Sequence, residues 1–192
     1  MLILSIEKAI ENAAWGLDLS NELSKIKKLL NLGLLIKDLK IEPHYMPLEK
    51  AMGLRRPSIK LIMLLLNYGA TITKNVRSWA NLKINFGEIT KELLYHTNLR
   101  EKALTQPSKE LLDEAISHDN PFVVKLIVQH APELIEASHL ECAKKTSPAS
   151  VPFLNKGLEI VKKLEQFREI GVKNDVPGEL IQHIKKLIMH NS

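Results

Sequence analysis

Two stretches decide the reading of this chain: Met46-Pro-Leu-Glu-Lys-Ala51 and, a few residues on, Leu61-Ile-Met-Leu-Leu-Leu-Asn-Tyr-Gly-Ala70. The first has apolar, acidic and small residues at helical spacing. The second is an apolar run that stops at Gly69. A helix with alanine on its inner face lets a neighbouring backbone come close, and a helix with apolar residues at i, i+3 and i+4 buries itself behind it. Gly69 falls just past the second helix, where a residue of positive φ closes the last turn and glycine adopts that conformation freely. Ala70-Thr-Ile-Thr73 is short and β-branched, which predicts an extended turn into the next unit.

The pattern repeats. Glu110-Leu-Leu-Asp-Glu-Ala115, Ser138-His-Leu-Glu-Cys-Ala143 and Leu4-Ser-Ile-Glu-Lys-Ala9 each carry an apolar residue, an acid, any residue and then alanine. Val123-Val-Lys-Leu-Ile-Val128, ending at Ala131-Pro132, supplies a second helix of the same kind, and Ile26-Lys-Lys-Leu-Leu30, ending at Gly33, a looser one. Between Ala51 and Ala115 there is room for two periods, so a unit is inferred over 75–98, where Trp79-Ala80, Ile89 and Leu93-Leu94 are the visible apolar points. Extra residues at 15–21 and 146–153 read as loops that stretch the first and last units.

These residues resemble the ankyrin repeat, whose pattern begins Thr-Pro-Leu-His-x-Ala and ends Leu-Leu-x-x-Gly-Ala. Pro47-Leu48, Ala51, the Leu61–Leu66 run and Asn67-Tyr-Gly-Ala70 carry the resemblance, and Val123-Val-Lys-Leu126 matches the second helix. It covers about four of five units over residues 4 to 171. The histidine of the family pattern is replaced by Glu7, Glu49, Asp113 and Glu141, and Ala131 stands where glycine is expected. The resemblance implies an all-α solenoid of helix pairs over 1–174, with 175–192 as a C-terminal capping helix of the same domain. It also implies binding of another protein through the concave face and the turns. Carried over by position, the contact candidates are Lys37 and Lys40 after Gly33, Thr71, Thr73, Lys74, Arg77 and Trp79 after Gly69, and Arg55 and Arg56 between the helices of the second unit.

In the tail, Asp175-Val-Pro177-Gly-Glu179 opens a helix with proline and acid in its first turn, and Leu180, Ile181, Ile184, Leu187 and Ile188 form one apolar stripe. A cap on the last repeat is the plain reading. Val176-Pro-Gly-Glu-Leu180 and Ile184 also resemble the first helix of an F-box, which implies an adaptor for ubiquitin-ligase machinery as the alternative.

Composition narrows the rest. In 192 residues, 45% are hydrophobic, 26% charged and 5% aromatic, as expected of a soluble helical protein with a Leu and Ile core. The net charge of +5 is spread among interleaved lysines and acids, which gives no basic stripe for nucleic acid. No run is long and apolar enough to span a bilayer, and Glu7 and Lys8 interrupt any signal-peptide core. One cysteine, Cys142, fits a reducing compartment, hence a cytoplasmic protein, or a host-directed effector of an intracellular microbe or virus acting in the host cytosol. Its place beside Ala143 predicts a buried, inert thiol.

No phosphate-cradling glycine spacing and no His-Glu-x-x-His pair occurs, so neither a cofactor nor a metal is expected. His139 and Cys142, three apart, are too few ligands for zinc. The paired acids Asp113-Glu114 read as solvated. An enzyme is not expected. The competing hypothesis, an enzyme or modified-residue reader on a helical scaffold, would require a deep pocket lined by convergent polar groups. A monomer that binds a protein is the expectation. If the tail caps the last repeat, deleting residues 176 to 192 exposes apolar surface; the truncated protein then shows a lower urea midpoint and lower solubility.

Overall fold

The computed structural model describes residues 8, 12, 19–30, 47–53, 57–82 and 87–173. Among them the chain is all-helical, with no strand. The helices are α1 (Leu19–Leu30), α2 (Pro47–Gly53), α3 (Ile59–Asn67), α4 (Lys74–Leu82), α5 (Gly87–Thr105), α6 (Lys109–Ser117), α7 (Pro121–His130), α8 (Ala137–Thr146) and α9 (Val151–Lys173). Short 3-10 turns, Pro132–Leu134 and Pro148–Ser150, precede α8 and α9.

Local chemistry sets the helix ends. Ser58 and Ser108 accept from the Leu61 and Leu111 amides and so start α3 and α6, and Asn120 accepts from Val123 N–H ahead of Pro121 in α7. The end of α3 is a Schellman motif: Gly69 N–H bonds Leu66 O at 3.0 Å, and Ala70 N–H bonds Leu65 O at 2.9 Å. Gly69 has the φ of +86° that this closure needs. The end of α6 repeats the motif with Asp119 at φ +51°, its amide on Ile116 O and that of Asn120 on Ala115 O. Aspartate tolerates this region better than branched residues do.

The helices pack in consecutive pairs, α2 with α3, α4 with α5, α6 with α7 and α8 with α9. The second helices α3, α5, α7 and α9 pack each on the next, and among the first helices α2 packs on α4 and α6 on α8. Between α4 and α6 there is no comparable packing; instead α3 reaches α7 directly. The recurring alanines Ala51, Ala115 and Ala143 are all fully buried. They stand where a larger side chain would push neighbouring helices apart.

Over 75–98, where a unit is inferred, the chain is helical as α4 and α5. Its signal is a cap: Thr73 Oγ1 accepts from Val76 N–H at 3.2 Å. Ala80 follows Thr73 by seven residues, the interval separating Ser108 from Ala115 and Glu136 from Ala143. The loop expected over 146–153 is corrected. Ser147, Ala149 and Ser150 are buried, the two serine hydroxyls bond at 2.6 Å, and the 3-10 turn passes straight into α9. In the other stretched segment, residues 19–21 already belong to α1, and 15–18 lie outside the described residues. Gly33 and the tail 175–192 also lie outside them, as does the first motif except Lys8.

Overpacking gives a direct check on the shared register. Ala51→Leu and Ala115→Leu each lose about 1 to 3 kcal/mol, read from urea unfolding curves. Lys60→Leu, on the exposed side of α3, stays within about 0.5 kcal/mol of wild type.

Candidate functional site

The turn after Gly69 and the start of α4 present the candidates that sequence placed there. Thr71, Lys74 and Arg77 are exposed, and Lys74 and Arg77 lie three residues apart on α4, on neighbouring parts of one face. Thr73 differs. It is half-buried, caps α4, and its hydroxyl donates to Glu49 of α2, so it works inside the fold. Trp79 lies on α4, and its side chain is outside the described residues, as are Lys37, Lys40, Arg55 and Arg56.

Glu49 stands at the position where the resemblance expects a histidine, and it bonds the first turn of the next pair. Asp113 is its counterpart on α6: its Oδ1 lies 3.4 Å from His139 Nε2 on α8. His139 Nδ1 in turn accepts from Glu136 N–H at 2.9 Å, closing the first turn of α8. At both places an acid on one first helix holds the N-terminal turn of the first helix in the following pair. Asp113 is exposed, as the sequence suggests, whereas Glu114 is not simply solvated: its Oε1 accepts from Tyr95 Oη at 2.7 Å.

Tyr95 belongs to a polar cluster that joins α5 to α3, α6 and α7. Burial first, then the bond and charge of Glu114, push its phenol above the ordinary range. One residue on, His96 is buried and its Nδ1 lies 3.4 Å from Asn120 Nδ2. The amide donates, so the proton of the neutral ring sits on Nε2, 4.0 Å from Glu92 Oε2. Burial, reinforced by the charges of Arg100 and His118, pulls His96 down to about 4. Arg100 donates to Leu66 O at 2.8 Å and Ala70 O at 3.2 Å, and its guanidinium lies 4.6 Å from the centre of the Phe122 ring. Burial lowers it to about 10, so it keeps its charge at neutral pH. Apart from Arg100 Nε, which is buried without a hydrogen-bond partner, these polar atoms face one another or backbone carbonyls. Their chemistry is the joining of helices.

Cys142 corrects the sequence reading, because it is exposed, with Sγ 3.9 Å from Thr146 Oγ1. His139 is buried and its Nδ1 lone pair is already engaged, so the two residues make no shared metal site. No group of three or more His, Cys, Asp or Glu side chains that could hold a metal occurs among the described residues, and none of their helices is long and apolar enough to cross a membrane. No protein-family model matches the chain, and no curated protein or solved structure matches it either.

The buried imidazole makes stability depend on pH in a defined direction. The folded pKa of about 4 lies below the ordinary 6.5, so only the unfolded chain takes up this proton as pH falls. The His96 contribution is complete above pH 6.5 and lost progressively down to pH 4, a change of about 3 kcal/mol. Urea midpoints measured across this interval fall less steeply for His96→Gln than for the wild type.

Proposed function

We propose that the chain is a protein-binding scaffold, an ankyrin-like stack of helix pairs whose turn and first-helix side engages an acidic surface on a partner protein. The observation that carries the reading is the repeated tie between successive pairs: Glu49 to Thr73, and Asp113 to His139. A repeat architecture needs such a link, because each pair buries its apolar face only against its neighbours. The fully buried alanines Ala51, Ala115 and Ala143, at equivalent places on first helices, support the same reading.

Fixing the first turn of α4 through Thr73 also fixes the residues beyond it. Lys74 and Arg77 are held exposed on a short helix whose inner side is anchored by the buried Val76. Their charges reach beyond the surface and draw an acidic partner into register, and Thr71 beside them offers a hydroxyl to its polar groups. Nothing in this arrangement asks for catalysis. Binding through a rigid turn also carries little ordering cost, since the backbone is set before the partner arrives.

Reversal of both charges tests the reading. The variant Lys74→Glu/Arg77→Glu captures less of the partner recovered by wild-type protein from source or host lysate, and associates with the purified partner about tenfold more slowly at low salt. The melting temperature stays nearly unchanged, as exposed charges contribute about 0 to 1 kcal/mol. Raising ionic strength slows the wild type in the same way. A complex indifferent to both salt and reversal rejects this surface.

A further inference from the structure

We propose that the seam between α5 and the α6–α7 turn is an acid-sensitive latch: a proton taken up by His96 frees that turn and the start of α7 from α5, while the helices on either side stay folded. The latch is separate from the α4 surface and does not depend on the protein-binding reading.

Its working parts are two buried side chains. His96 is 2% exposed, and its Nδ1 receives the Asn120 Nδ2 amide at 3.4 Å. Asn120 is 1% exposed and is committed on its other side, because its Oδ1 accepts from Val123 N–H at 3.2 Å and so starts α7. With Nε2 already carrying the ring hydrogen, a further proton goes to Nδ1, where it meets the amide donor. Turning the amide over does not relieve this. It gives the ring an acceptor but sets Nδ2 against Val123 N–H, so in either orientation two buried donors face each other. The closed seam has no arrangement that suits the imidazolium.

Nor does an anion stand at that edge of the ring. On α5 itself, Glu92 Oε2 is 4.0 Å from Nε2, beyond hydrogen-bond reach and at the other nitrogen. Arg100 is a cation, and Glu88, Lys91, Glu101 and Lys102 are exposed. From α6, Glu114 already holds Tyr95 Oη, Lys109, Glu110 and Asp113 are exposed, and His118 at its end adds positive charge as pH falls. Asp119 in the turn is paired with Lys27 of α1 at 2.7 Å. Lys60 of α3 and Lys74 and Arg77 of α4 are exposed, and Lys125 and His130 lie more than one turn beyond Asn120 along α7.

Opening the seam gives the ring water. The closed ring takes the proton near pH 4 and an exposed one near 6.5, so acid favours the open form. Between pH 7 and pH 5 this difference multiplies the open population about twentyfold. His96 sits on α5 between Leu93 of one apolar cluster and Leu99 of the other, so loosening here leaves both clusters packed.

Amide hydrogen exchange of the full chain, read by NMR at pH 7 and pH 5 and corrected for intrinsic rates, tests the latch. The amides of Asp119, Asn120, Val123 and Val124 are hydrogen-bonded in the turn and the start of α7. Their opening rises about twentyfold and responds little to low urea, whereas core amides such as Leu65 and Ile127 exchange through urea-sensitive unfolding. His96→Asn, which keeps an acceptor where Nδ1 stands but does not titrate, cuts the rise to less than about twofold. A second measurement needs no variant: the ring's own ¹⁵N spectrum shows the Nε2–H tautomer at pH 7 and no titration down to pH 5. An Nδ1–H tautomer, or a folded ring that titrates near 6.5, overturns the latch. So does a full rise retained in His96→Asn, or exchange of the four amides that is as urea-sensitive as that of the core.

Discussion

The joint between Arg100 and the end of α3 is the contact on which the rest of the structure depends. Leu66 O in the last turn of α3, which also accepts from Gly69 N–H, and Ala70 O just past it both receive the guanidinium of a helix from the next pair. A cation at a helix C-terminus also complements the dipole. The buried apolar residues form two clusters, one around α2, α3, α4 and the start of α5, the other from the end of α5 through α9. Arg100 stands on α5 where one gives way to the other, and its contact with Phe122 draws α7 into the same joint. Gly69 completes it, because a Cβ there would stand 2.9 Å from the Phe122 ring.

This joint also bears on the contact pattern, in which α3 reaches α7 while α4 and α6 share no comparable packing. With Phe122 against Gly69 and Asn67 Nδ2 donating to His118 O at 3.2 Å, the end of α3 meets the α6–α7 turn directly. α5 crosses over that meeting point, placing Tyr95, His96 and Arg100 near both turns. The polar cluster fills a place where two units touch across a third, and its hydrogen bonds specify the meeting in a way that apolar contact alone would not.

Much of the architecture is legible from the alanines, the second-helix runs and Gly69, because those signals are local and periodic. The features that escape the sequence do so for particular causes. The unit at α4 carries few apolar residues, so its pattern is weak, and a capping threonine with an alanine seven residues later marks it better than any leucine does. Sequence places Cys142 inside because Ala143 is, yet successive residues on a helix point about 100° apart, so the burial of Ala143 does not by itself bury its neighbour. Glu49 and Asp113 look like losses from a family pattern because the partners that give them a role, Thr73 and His139, are 24 and 26 residues away. Of the surface candidates, Thr71, Lys74 and Arg77 face outward as the turn geometry implies, and Thr73 does not.

Lys27 of α1 pairs with Asp119 at 2.7 Å, and that one bond bears on the order in which the molecule is made. Asp119 holds its position only once the α6–α7 turn has closed and taken its left-handed conformation. A ribosome releases Lys27 long before it polymerises that turn. During synthesis α1 can pack Ile26 against its near neighbours, but its ionic tie waits for the middle of the chain to emerge. An early-made helix thus completes its ion pair only after the α6–α7 turn exists.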